Sequence, residues 1–100
     1  MDLIREYNIP IELKGVIPGY IGRRDQDITS LKTFVANQDF DSVSKLGHKL
    51  KGNGASFGFD RISELGGLLM KACDRYDIAE VKSLVADFEV EVNSIKSAFL

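Results

Sequence analysis

From Ile78 onward, Val81, Leu84, Val85, Phe88, Val92, Ile95 and Phe99 recur at helical spacing. At about 3.6 residues per turn they form one apolar stripe along roughly six turns of helix. No sustained period-2 alternation competes with this pattern elsewhere, and the β-branched residues are scattered through helix-spaced segments. A chain made of such stripes can bury them only against one another, so helix must pack on helix.

Three more stripes precede it. Pro18 suits a first helical turn, where its missing N–H costs nothing, and Ile17, Ile21, Ile28, Leu31 and Val35 follow at helical spacing to about Asn37. Asp39 or Asp41 can cap a second helix starting near residue 41, with Val43, Leu46, Leu50 and Phe57 on one face and Gly58 as a left-handed terminator. Asp60 is expected to cap a third helix with the stripe Ile62, Leu65, Leu69, Ala72 and Cys73, ending in "DRYD"; Asp77 is expected to cap the fourth. The expected fold is all-α, an antiparallel up-down-up-down four-helix bundle over residues 17–100. Residues 1–16 form a lead-in, either a short extra helix or an extended segment, expected to vary in order.

Composition narrows the function classes. A chain of 100 residues with 44% hydrophobic and 28% charged residues is expected to fold alone as one domain without room for a separate catalytic one. The net charge of −2 argues against general nucleic-acid binding. A lone cysteine, Cys73, leaves no internal disulfide and reads as a small core residue; no leading apolar run resembles a signal peptide or membrane span, which makes the cytoplasm the default compartment. One histidine makes a histidine-based metal site improbable, and no phosphate-binding glycine loop of the nucleotide-binding type is present.

That histidine, His48, stands in "HKLKGNGASFGF", at about 160° around the helix from both Leu46 and Leu50, and so points away from the core. Ser44, Lys45, Lys51 and Gly52, at i−4, i−3, i+3 and i+4, share its outer face. Imidazole keeps a neutral, nucleophilic fraction at neutral pH and can accept a phosphoryl group. Lys51 foremost, with Lys45 and Lys49, could offset the added charge. Gly52 costs about 0.5–1 kcal/mol inside a helix, and its missing side chain opens a notch beside the imidazole for a partner's active site. Gly54 reads as close helix packing, and Asn53 as an internal hydrogen-bond partner. Arg24, within the first stripe, reads as half of a partly buried ion pair or as a phosphate contact. On helical position alone, a solvated surface histidine among solvated lysines is the commoner explanation.

"LGHKLKGNGASFGFDRISELGGLL" nevertheless resembles the histidine-containing phosphotransfer (HPt) domain, with its H-x-L-K-G signature, small-residue stretch and terminating glycine. His48, Leu50, Lys51, Gly52 and Gly58 match position by position, and "PGYIGRRDQDITSLKTFVANQDFDSVSKL" is similar to the family's first helix and acidic turn. The resemblance covers roughly residues 17 to 73; Gly47 departs from the alanine or similar small residue usual before the histidine.

The resemblance implies a phosphocarrier in a multistep His-Asp phosphorelay, with His48 taking a phosphoryl group from a receiver-domain aspartyl phosphate and passing it to another receiver. Response-regulator receiver domains are the implied partners, with a hybrid sensor histidine kinase as a further candidate; Ser44 and Gly52 belong to the docking face. The receiver would supply Mg²⁺, so this chain needs no metal or cofactor of its own, and ATP-dependent kinase activity is not expected. No nucleic-acid or membrane partner is expected, and the chain is expected to be a stand-alone monomer. The alternative is a small helical adaptor that binds signalling proteins without accepting phosphate. A weaker third reading is a helper that drains a receiver to inorganic phosphate.

Overall fold

The computed structural model describes residues 9–100. Residues 1–8, and the variable order expected there, lie outside the described residues. Of the two alternatives for the rest of the lead-in, the structure shows a helix. Ile11–Val16 form a 3-10 helix running directly into α1, Ile17–Ala36. Then follow α2, Phe40–Phe57, α3, Asp60–Asp74, and α4, Ile78–Phe99. Connections of two or three residues force consecutive helices antiparallel, which gives the expected four-helix bundle.

All three connections close in the same way. Each contains one residue with left-handed backbone: Gln38 (φ 52°), Gly58 (φ 83°) and Tyr76 (φ 53°). The next N–H reaches back five residues, from Asp39 to Phe34 at 2.8 Å, from Phe59 to Gly54 at 2.8 Å and from Asp77 to Ala72 at 3.1 Å. This satisfies carbonyls that the helix end would leave orphaned. In two turns that residue also caps the next helix: Asp39 accepts from the Ser42 N–H and Asp77 from the Glu80 N–H, each at 3.1 Å. Asp39 also accepts from the Ser42 hydroxyl at 2.6 Å; these bonds hold its carboxyl below the usual carboxylate range.

The middle turn departs from expectation. Asp60 does not cap α3; it is the first helical residue, and the cap position belongs to Phe59. The physical reason is burial. Phe59 stacks on Tyr20 at 5.2 Å and meets Phe99 edge-on at 6.1 Å, so an aromatic core contact occupies the position given to aspartate in the other turns.

The core draws on every helix: Leu31, Leu50, Ile62, Leu65, Leu69 and Phe88 are completely buried, and Ile9 of the lead-in joins them. Each such side chain contributes about 1.5–3 kcal/mol of apolar burial. Cys73 is buried as expected. Lys32 to Glu89 (2.8 Å) and Lys96 to Asp25 (3.0 Å) tie α1 to α4 at the surface, where such pairs are worth at most about 1 kcal/mol. Among the described residues, no helix is long and apolar enough to cross a membrane.

Candidate functional site

The closest helix contact lies between α2 and α3, and glycines make it possible. A Cβ placed on Gly66 would stand 2.5 Å from both the Gly47 carbonyl oxygen and the Lys51 nitrogen; one on Gly54 would stand 2.5 Å from the Ser63 nitrogen. Gly47 and Gly54, seven residues apart on one face of α2, therefore let the α3 backbone lie flush. Ser63 adds a side-chain link, its hydroxyl donating to the Lys51 carbonyl at 2.7 Å. Gly54 was expected as a packing glycine; Gly47 and Gly66 were not.

The other flank of α2 is fixed by an aromatic and polar network. Tyr20 of α1 is buried, stacks on Phe57 at 4.3 Å and donates its hydroxyl to the Asn53 Oδ1 at 2.8 Å. This is the internal role expected of Asn53. Burial raises the Tyr20 phenol above its usual value, against the lowering influence of Arg24. Arg24 lies over the Tyr20 ring, 4.6 Å from its centroid, and its Nε donates to Asp27 at 2.7 Å. Of the two readings of Arg24, the structure shows the partly buried ion pair.

Pinned on both flanks, α2 turns its remaining face to solvent, and His48 is exposed on it. His48 lines a shallow groove of about 370 Å³ with Asp41, Ser44, Lys45, Lys49 and, from α3, Met70. Beside it Gly52 is exposed, and a Cβ there would meet nothing within 4 Å. The space at Gly52 beside the imidazole is open, and the groove sets two lysines, one carboxylate and the apolar Met70 around it.

The lysines are not equivalent. Lys45 pairs with Asp41 at 2.9 Å, which raises the ammonium's pKa and commits its charge to a neighbour. Lys49 lines the His48 groove. Lys51 lies toward α3, in an adjoining groove with Ser63, Gly67, Met70 and Lys71, its Cδ passing 3.9 Å from where a Gly67 Cβ would stand. The structure thus gathers Ser44, Lys45, His48 and Lys49 in one depression and sets Lys51 and Gly52 one turn along.

A comparison with protein-family models matches residues 20–98 to the Hpt domain. The chain belongs to the Hpt domain family. The match runs from Tyr20 to Ala98 and so takes in all four helices, including the last, which sequence resemblance reached only by pattern. The comparison with curated proteins finds no match, and neither does the comparison with solved structures. Membership carries a phosphotransfer role in two-component signalling, and Hpt domains interact with receiver domains of response regulators and with kinases.

For an Hpt domain, the informative residues that sequence reasoning passed over are Gly66 and Met70. The Gly66–Gly67 pair inside an otherwise regular α3 was the available signal, since two adjacent glycines in a helix interior demand a reason. Met70 left no signal. Its place beside His48 depends on how two helices cross, which no spacing within one helix encodes.

Proposed function

We propose that this Hpt domain is a phosphocarrier of a multistep His-Asp phosphorelay, with His48 as the residue that accepts and returns the phosphoryl group. The observation that carries the reading is that the chain's one histidine is exposed midway along a helix pinned on both flanks, with open space at Gly52 beside it. An unprotonated imidazole nitrogen attacks the phosphorus of a receiver's aspartyl phosphate. The P–N bond forms as the P–O bond to the carboxylate breaks, the aspartate leaves as its anion, and the ring's remaining N–H proton passes to water. The reverse sequence loads a second receiver. Phosphoryl transfer needs mainly positioning and charge stabilisation, and the receiver brings Mg²⁺ to the encounter. An exposed nucleophile on a rigid helix with mobile cations nearby is therefore sufficient on this side.

The test is incubation of the chain with a phosphorylated receiver domain and, separately, with phosphoramidate, followed by mapping of the label. Acid-labile, base-stable phosphate on His48 from both donors is expected. Receiver binding without any label would replace the phosphocarrier by the adaptor reading, and steady release of inorganic phosphate without phosphohistidine would favour the draining helper.

Two substitutions divide the roles around His48. Lys51→Ala is expected to leave the bundle intact and slow transfer several-fold, or shorten the phosphohistidine lifetime to a similar degree, because one exposed charge-assisted contact is worth about 1 kcal/mol. Unchanged rates would make Lys51 an ordinary surface lysine. Gly52→Gln is expected to keep the fold, since the added side chain meets open space, and to lower receiver-dependent transfer while phosphoramidate labelling stays normal. Normal receiver transfer in that variant would remove the docking role assigned to Gly52.

A further inference from the structure

Among the described residues, Met70 is the one from outside α2 that lines the His48 groove, and it also lines the neighbouring groove of Lys51. It therefore forms the partition between the two depressions. It is half-buried, and it is the apolar side chain of the His48 groove, where its neighbours are Asp41, Ser44, Lys45 and Lys49; on its other side Leu68 joins it among Ser63, Glu64, Lys71 and Asp74. Its position depends on Gly47. A Cβ on Gly47 would stand 3.3 Å from the Met70 Cγ, tighter than ordinary van der Waals contact. The glycine one residue before the histidine thus gives the Met70 side chain room against α2.

We propose that Met70 is an apolar docking residue for the receiver domains that exchange phosphoryl groups with His48, setting how tightly and which receivers bind while taking no part in the chemistry. This rests on the phosphocarrier reading of His48. The occupant follows from the groove. A donor that brings phosphorus within bonding distance of His48 must cover the residues lining the same depression, and with Lys45 paired to Asp41 the charge of Lys49 favours a partner whose reacting site is a cluster of carboxylates bearing phosphate. In such an encounter the charged rim is screened and steers, whereas an apolar side chain excluded from water at its centre contributes to residence. Methionine suits the task because its unbranched, polarizable chain adapts to differently shaped surfaces.

The experiment measures phosphoryl transfer from a receiver domain that labels the wild-type chain, across receiver concentrations, for Met70→Glu, Met70→Ala and Met70→Leu, with phosphoramidate labelling of His48 in parallel. For Met70→Glu, the half-saturating receiver concentration is expected to rise at least tenfold, with the saturated rate and phosphoramidate labelling little changed. Met70→Ala should show a smaller rise, and Met70→Leu should stay near wild type. Circular dichroism confirms folding, and Met70→Ala carries the test if the glutamate variant melts early. An unchanged concentration dependence in both folded variants overturns the proposal, as does a fall in the saturated rate alone. Absence of phosphoramidate label on wild-type His48 would instead sink the phosphocarrier reading, so the two failures are distinct.

Discussion

His48→Gln should abolish stable phosphoryl labelling from either donor while leaving the fold in place. Glutamine is as long and as polar as the imidazole it replaces, is a better helix former, and stands at an exposed site. Substitutions of that kind usually change stability by no more than about 0.5 kcal/mol, which in a domain this size moves the melting temperature by less than about 4 °C. The labelling loss should be complete within detection because the chain has no second imidazole. Residual phosphate identifies its own source by its chemistry. Base-labile phosphate would be an acyl phosphate on a carboxylate. Acid-labile, base-stable phosphate would point to a nitrogen elsewhere, such as a deprotonated lysine amine, and would end the assignment of His48.

What could be read from sequence was what local geometry encodes. The four stripes, the glycine stop at Gly58 and the cap at Asp77 each depend on residues within one or two turns, and the structure reproduces them; of the two candidates for the second cap, Asp39 and Asp41, it takes Asp39. Arg24 was placed on the right face, and its partner Asp27 lies only three residues away. The Lys45–Asp41 pair, at i and i+4, was equally local and went unread although the spacing announces it. The failure at Asp60 is of another kind. A good capping residue stood one position too late, because Phe59 is held by Tyr20 of α1 and Phe99 of α4, contacts far away in sequence.

The face around His48 divides the same way. Its α2 members follow from the helical period, so Ser44, Lys45, Lys51 and Gly52 could be named from spacing. The contribution of α3 could not, because it is set by the depth of the α2–α3 crossing, and that depth is decided by the absence of three side chains at Gly47, Gly54 and Gly66. Within a single helix an absent side chain reads only as a propensity cost. Its benefit appears once the partner's backbone is seen to occupy the vacated space, as the Gly66 carbonyl does 2.8 Å from where a Gly47 Cβ would stand.

The same substitution at two glycines should therefore act in opposite directions. At Gly52 alanine adds a methyl group to open solvent, removes some freedom from the unfolded chain and is expected to stabilise by up to about 1 kcal/mol. At Gly66 the propensity gain is the same, but the methyl carbon would stand 2.5 Å from the Gly47 carbonyl oxygen and the Lys51 nitrogen and 3.0 Å from the Leu50 Cβ. Two of these are backbone atoms that no rotamer change can move, so α3 must back away from α2 along the seam that holds Leu50, Leu65 and Leu69 in the core. Overpacking of this kind costs about 1–3 kcal/mol or more. With a net loss near 2 kcal/mol, Gly66→Ala should melt about 8–16 °C below wild type, whereas Gly52→Ala should melt above it by up to about 8 °C. Below its transition the Gly66 variant should still take label from phosphoramidate, since the imidazole stays on the outer face of α2. Receiver-dependent transfer should fall, because withdrawal of α3 carries Met70 away from His48. Thermal unfolding of the two variants side by side decides the matter: a Gly66→Ala chain melting at or above wild type would mean that the two helices do not lie as close as the glycines allow.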